Sequence, residues 1–384
     1  MNVFKESENF IRGIFSGQND INLHEPHFSE EDISSVTSSI KSSYVSTYGK
    51  NVSKFEIYLK KYTNAVDVVS TVNGTSALHL SLIMSGVKKN DFIISQAFNF
   101  VAAANCISYL HADPIFIDIS PETLSICPEK LKEFFDKHTI MNKSGTCLEK
   151  KSKRPIRALI VMHTYGHPAL IDKIIKICRK KNVKVIEDAA ESLGTTYKKK
   201  HMGTFGDFGS LSFNGNKIIT TGGGGALICK TKKTGTLSRH LSTTAKKNSL
   251  EFFHDAIGYN YRLPNLNASL GISQLKKIDK YILSKRKIAN LYEDFYQGSD
   301  YLFFKEPPEA RSNYWLNSIL APNLKERKRM VNYLIKRRIN VRPAWHLMNT
   351  LPMFKNSFST DLTVSQNIWE RLINLPSSPV IKRK

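Results

Sequence analysis

The chain lacks the marks of several large protein classes. Its five cysteines, Cys106, Cys127, Cys147, Cys178 and Cys229, include no C-x-x-C pair and no histidine beside them at metal spacing. Neither a zinc centre nor a disulfide framework is therefore expected, and no metal ligand is assigned. No segment approaches the roughly eighteen uninterrupted apolar residues of a membrane span, and the N-terminal string MNVFKESENFIRGIF carries charges inside its apolar stretch, unlike a secretory signal. A cytoplasmic protein is the expectation. Acidic residues are scarce, 33 Asp and Glu against 56 Lys and Arg, a net charge of +23. Such an excess raises nucleic acid or an acidic membrane as a partner. The basic clusters are short, though, at Lys198-Lys199-Lys200, Lys336-Arg337-Arg338 and Lys382-Arg383-Lys384, and none is interleaved with stacking aromatics. Solvated surface is the better reading, with small anions such as phosphorylated or nucleotide-linked substrates attracted, and neither nucleic acid nor membrane as a partner.

What is present suits a globular chain of two domains. At 384 residues it exceeds the roughly 250 to 300 at which one core stops growing, and 41% hydrophobic with 23% charged residues is ordinary globular composition. Short apolar, β-branched runs at 66–72, 91–95, 114–118, 156–162, 183–187, 208–212 and 225–229 read as strands. Helix-period segments at 77–85, 101–110 and 171–180 lie between them. This alternation predicts βαβ units, a largely parallel sheet, and ligands at the carboxyl ends of its strands. Beyond about residue 240 the pattern changes to long helices at 266–297 and 323–338 with strands at 314–320 and 339–342. A large domain over residues 1–245 and a smaller α+β domain over 246–384 are expected, with 242–250 as the boundary loop and the lysine-rich stretch 137–154 as a surface insertion.

Three strings carry chemistry. Asn73-Gly74-Thr75-Ser76-Ala77 follows a strand and opens a helix, and its bare N–H groups, hydroxyls and helix dipole suit a phosphate, although tight turns without a ligand are common. Glu187-Asp188-Ala189-Ala190-Glu191 puts carboxylates at a strand's carboxyl end, where one could pair with a cation, a protonated cofactor ring nitrogen included, or Asp188 could merely cap a helix. Ser212-Phe213-Asn214-Gly215-Asn216-Lys217 precedes four glycines, Gly222 to Gly225, and a lysine beside such a loop could act as a covalent nucleophile.

In that order, with FNFVAAANCISYLHADPIFIDI between the first two strings and GYNYRLPNLNASLGISQL after the third, the chain resembles the DegT/DnrJ/StrS sugar aminotransferases over nearly its whole length. The resemblance implies an α/β chain of the aspartate aminotransferase fold (fold type I) with pyridoxal 5'-phosphate as cofactor. It implies that Lys217 carries the cofactor covalently and later shuttles protons, and that Asp188 keeps the pyridine nitrogen protonated. Ser212 would join Gly74, Thr75 and Ser76 around the phosphate, and Phe100 would stack on the ring. Asn260 would reach the phosphate of the neighbouring subunit, giving a homodimer with shared active sites. Glu191 stands where many members have Gln or His beside the cofactor's phenolic oxygen, and Asn99 and Ala103 replace common threonines. Retention of Lys217 points to transamination rather than dehydration.

Within the family, INLHEPHF, MHTYGHP, ARSNYWLN, VRPAWHLMNTLPMF and INLPSS most resemble the LegC branch. That likeness implies transfer of an amino group from an amino acid, with glutamate the expected donor, to C4 of a UDP-linked 4-keto-6-deoxy-N-acetylhexosamine, toward legionaminic acid or bacillosamine-type sugars. His163, Tyr165, Arg262, Trp315, Arg342, Trp345 and His346 are candidate substrate contacts, although each taken singly reads first as a packing residue. Amination of a dTDP- or GDP-linked 3- or 4-keto sugar, a non-catalytic sensor of cofactor or sugar, and a basic nucleic-acid binder are the rival readings.

Overall fold

The computed structural model describes residues 3–248 and 250–380. At its centre lies an eight-stranded sheet in the order Asp67–Thr71, Gly225–Cys229, Phe208–Ser212, Lys184–Asp188, Ile156–Met162, Phe92–Gln96, Asp113–Ile117 and Phe358–Ser359. Every neighbouring pair is parallel except those involving Gly225–Cys229, which runs against both of its neighbours. The seven runs read as strands in the first 230 residues appear within one residue of their expected bounds, because a sheet covered on both faces demands near-continuous apolar sequence, whereas the strand expected over 314–320 begins only at Asn317. Helices Gly74–Met84, Val101–Tyr109 and Ile171–Arg179 supply the cover.

A second sheet is wholly antiparallel, in the order Leu302–Phe303, Asn317–Leu320, Leu372–Leu375 and Arg342–Pro343. Helices Ile278–Tyr296 and Leu324–Ile335 pack on it through Ile288, Tyr292, Met330 and Leu334. The N-terminal helix Val3–Ile14 joins this same cluster through Ile11, and Ile21 bridges Ile339, so the two ends of the chain share one core. Phe358–Ser359 crosses the other way and extends the large sheet beside Asp113–Ile117.

Several expectations need correction. Residues 137–154 are no simple surface insertion: Thr139–Met141 pairs with Cys147–Glu149 in a hairpin. Buried Cys147 anchors it, and the Asn142 carboxamide closes its turn by accepting from the Ser144 and Thr146 amides at 3.0 and 2.8 Å. The stretch 242–250 contains the strand Lys246–Asn248, paired with Phe253–His254, while Ser249 lies outside the described residues. The expected strand over 339–342 shrinks to Arg342–Pro343, since the chain at Ile339 is drawn off to bridge Ile21. The helix expected over 266–297 breaks into Asn265–Leu275 and Ile278–Tyr296. The basic cluster Lys382-Arg383-Lys384 lies outside the described residues.

Candidate active site

Two glycines bring the three chemical strings together. A Cβ on Gly74 would stand 2.9 Å from the Cβ of Ser212, and one on Gly225 would stand 2.6 Å from the Gly74 amide nitrogen. Only bare backbone permits the turn 73–75, the strand Phe208–Ser212 and the antiparallel strand Gly225–Cys229 to approach so closely. Asn73 then caps the helix, its Oδ1 accepting from the Ser76 amide at 2.7 Å.

The result is a cavity of about 350 Å³ lined by Gly74, Thr75, Phe100, Asp188, Glu191, Ser212, Lys217, Trp315 and Trp345, all named from sequence. Asn73, Met162, Asn214 and Asn216, which had been given no role, line it too. The Lys217 Nζ lies 3.2 Å from Glu191 Oε1 and 3.9 Å above the Trp315 ring. Glu191 holds its second oxygen against the Tyr165 amide at 2.9 Å. Burial pushes the Glu191 carboxyl up to about 7, with Lys217 and the Tyr165 amide pulling the other way. Asp188, also buried, accepts from the Ala190 amide at 3.2 Å. Burial raises its pKa, and Ala190 and Lys217 offset this only in part. A carboxylate kept from water with so little compensation is a site for a cation.

Other candidates are placed elsewhere. His163 is fully buried behind the strand Lys184–Asp188, not in the cavity. The Ala169 amide donates to its Nδ1 at 3.1 Å, which fixes the proton on Nε2, 3.0 Å from Glu187 Oε2. Its job is to orient a structural carboxylate. Tyr165, also fully buried, sits at φ 55° with its ring 4.9 Å from Trp345 and 6.4 Å from Trp315, and so backs the cavity wall. His346 is exposed, packs by Trp369 and does not line the cavity. Ser76 is buried within its helix and does not line the cavity. Asn260 and Arg262 run beside the ends of Thr243 and Thr71 and contribute nothing to this cavity from within their own chain.

Beside the first cavity lies a chamber of about 320 Å³ that shares Asn216, Trp315 and Trp345 with it. Arg342 lines it as a substrate-contact candidate, together with His24 and Asn374, which sequence reasoning had not singled out. Both had stood within quoted strings, INLHEPHF and INLPSS, with no feature marking the single residue. Among the described residues no His, Cys, Asp and Glu side chains group as a metal site, and no helix is long and apolar enough to cross a membrane.

The first cavity suits pyridoxal phosphate by its donor set. The lining brings together a buried carboxylate with a single amide donor, Asp188, a helix N-terminus with Thr75 and Ser212, a lysine amine and the exposed Phe100 ring. When bound, this cofactor supplies the electron sink that amino-group exchange requires. The fold belongs to that class of enzyme, the fold type I transaminases. The aminotransferase TlmJ of Streptoalloteichus hindustanus superposes with a TM-score of 0.85 at 23% identity, covering 94% of this chain and 95% of that one.

The chain belongs to the DegT/DnrJ/EryC1/StrS aminotransferase family, whose model matches residues 26–384. It is 32% identical to the GDP-perosamine synthase of Escherichia coli O157:H7 over 95% of both chains. It is 30% identical to the UDP-4-amino-4,6-dideoxy-N-acetyl-beta-L-altrosamine transaminase of Campylobacter jejuni, over 71% of this chain and 68% of the other. The protein is a pyridoxal phosphate-dependent aminotransferase of nucleotide-linked keto sugars.

Proposed function

We propose that the protein aminates C4 of a UDP-linked 4-keto-6-deoxy-N-acetylhexosamine in the cytoplasm, with glutamate as donor, toward legionaminic acid or bacillosamine-type sugars. The observation that carries the transaminase chemistry is Lys217, its Nζ held between Glu191 and the Trp315 face at the mouth of the Asp188 pocket. In this reading the Lys217 amine takes the proton from the donor's α-carbon and, in the second half-reaction, delivers a proton to C4 of the sugar. Asp188 holds the proton on the pyridine nitrogen. Gly74, Thr75 and Ser212 would hold the cofactor's phosphate, Phe100 would pack against its ring, and Glu191 would lie near its phenolic oxygen. Trp315 and Trp345 exclude water.

The choice of UDP sugar rests on the LegC-like strings and is supported by the Campylobacter relative. Amination of a GDP-linked 4-keto-6-deoxyhexose is the second reading, favoured by the likeness to GDP-perosamine synthases from Escherichia coli and Vibrio cholerae. Mass spectrometry decides between them: the UDP-linked ketone should become the amine with one 2-oxoglutarate formed per turnover. Efficient amination of the GDP-linked ketone alone would overturn the substrate and leave the chemistry standing. Borohydride reduction followed by peptide mapping should place the pyridoxyl group on Lys217, and Lys217→Ala should abolish turnover.

The reading extends to a homodimer with shared sites. Leu250, Phe252, Phe253 and Ile257 give an apolar patch of sequence at 88%, 69%, 55% and 87% exposure, close along the chain to exposed Asn260. A second copy would cover that patch and receive Asn260 at its phosphate site. Mixing Lys217→Ala with a variant altered at both Asn260 and Arg262 should restore partial activity on co-refolding, and an active monomer in dilute solution would contradict the dimer. The chain would divide near residue 245 into the cofactor domain and a smaller C-terminal one.

A further inference from the structure

The chamber beside the cofactor cavity differs from it in charge. The cavity carries two carboxylates, Asp188 and Glu191, whereas among the described residues no acidic one lines the chamber. Its walls are apolar and aromatic, from Leu23, Leu316, Pro343, Trp315 and Trp345. Besides Asn216, three polar residues stand against them, His24, Asn374 and Arg342. His24 has both ring nitrogens buried and neither in a hydrogen bond, an expensive state in the absence of a ligand. Burial first, and then Lys285 and Lys217, hold its pKa well below the ordinary value, so the ring is neutral and keeps one N–H to donate. Asn374 has its Oδ1 occupied by the Ser318 hydroxyl at 2.7 Å, so only its amide N–H side, which also lies toward the Tyr165 hydroxyl, can donate to a ligand. Arg342 sits at the exposed rim on a short edge strand, donating to its own neighbour's carbonyl, Val341 O, at 3.0 Å, and no ion pair engages it among the described residues.

An unpaired guanidinium, an imidazole N–H and an amide N–H in a pocket free of acids converge on an anion, and a planar one fits the guanidinium fork best. The chamber shares a wall with the reactive amine's cavity, since its Trp315 lies 3.9 Å under Lys217 Nζ and its Asn216 immediately precedes that lysine. In an amino acid the carboxylates lie only a few bonds from the nitrogen that must reach this point. In a nucleotide sugar aminated at C4, the diphosphate on C1 lies across the ring from the reacting carbon.

We infer that the chamber formed by His24, Arg342 and Asn374 binds a carboxylate of the amino donor, separately from the sugar nucleotide. The inference rests on the transaminase reading above and adds the donor's seat to it. Arg342 pairs with the carboxylate at the rim, while His24 and Asn374 hold it against the tryptophan wall.

The test uses the cofactor-loaded protein and glutarate, a dicarboxylate with no amine to react. Trp315 and Trp345 are two of the chain's three tryptophans, so occupancy is read as a saturable change in tryptophan fluorescence. Arg342→Gln and His24→Ala should each raise the half-saturating glutarate concentration at least about tenfold. The same shift should appear in the glutamate concentration that bleaches the cofactor's absorbance without sugar present, while the KM for the keto sugar stays within about twofold. Unchanged glutarate and glutamate dependences, or an effect confined to the keto sugar or UDP, would overturn the assignment. Arg342 is exposed, so Arg342→Gln remains informative should His24→Ala fail to fold. If glutamate leaves the wild-type cofactor spectrum unchanged, it is the transaminase reading that fails, and glutarate titration still tests the anion seat.

Discussion

Glu187 and Asp188 are neighbours on one strand, yet they live in opposite worlds. Adjacent strand residues face opposite sides of the sheet, and here one side is architecture and the other is chemistry. Glu187 receives the His163 Nε2–H at 3.0 Å and the amides of Gly203, Phe205 and Gly206 at 2.8, 2.7 and 2.6 Å. Burial alone would raise its pKa, but His163 and those amides bring it below the ordinary carboxylate value. Asp188 receives a single amide, and burial leaves it raised. A satisfied carboxylate stabilises the fold, whereas an unsatisfied one is held ready for a ligand.

Replacing each in turn should give opposite signs. Glu187→Gln turns an acceptor toward donors that cannot be reoriented, and should cost about 3 to 5 kcal/mol of folding stability, read by denaturant unfolding. Because the folded pKa of Glu187 is lowered, its contribution is present above the unfolded-state value and is lost as pH falls through the folded one. The gap between wild type and variant should therefore narrow on acidification. A gap independent of pH would break the contrast.

For Asp188→Asn the melting temperature of the cofactor-free protein should rise, since an uncompensated buried charge has been removed. Cofactor affinity should fall by about 1.5 to 3 kcal/mol, the worth of a hydrogen bond to a charged group, and turnover should fall further. Near-normal turnover in that variant would reduce Asp188 to a structural role.

Glu191 sharpens the comparison from inside the cavity. Its carboxyl moves from 4.5 to about 7, so the folded cofactor-free protein holds this proton where the unfolded chain has lost it. That contribution is complete below about 4.5 and fades as pH rises through about 7. Relative to wild type, Glu191→Gln should gain about 1 to 3 kcal/mol between those limits, measured by unfolding at several pH values. A constant difference would show that Lys217 keeps Glu191 ionised throughout.

The smallest effect expected is at His163. Replacing it by Gln keeps a donor for Glu187 and should cost about 1 to 2 kcal/mol of stability, with KM for both substrates unchanged. A selective rise in sugar KM would return His163 to the substrate-contact role assigned from sequence.

Much of this was legible beforehand. Strand positions followed from apolar runs of five to seven residues, for a sheet buried on both faces leaves little ambiguity. The cavity was legible because its parts lie in compact strings at strand ends. The hairpin after residue 138 was not, since its strands are only three residues long and are buried through Thr139, Cys147 and Glu149, which follow no apolar run. Nor was the separation of Trp345, which lines the cavity, from His346, which does not: adjacent residues in an irregular segment diverge according to what packs beneath them.

By itself the sequence determined the largely parallel sheet, the family and the strings that line the cavity, because hydrophobic periodicity and short motifs act over a few residues. Only the tertiary structure decided which face of the strand Lys184–Asp188 meets solvent-accessible space, and that His24 and Arg342 share a chamber beside Lys217. Those pairings span long stretches of chain. They are settled by the packing of the N-terminal segment onto the C-terminal sheet, which no local pattern of residues encodes.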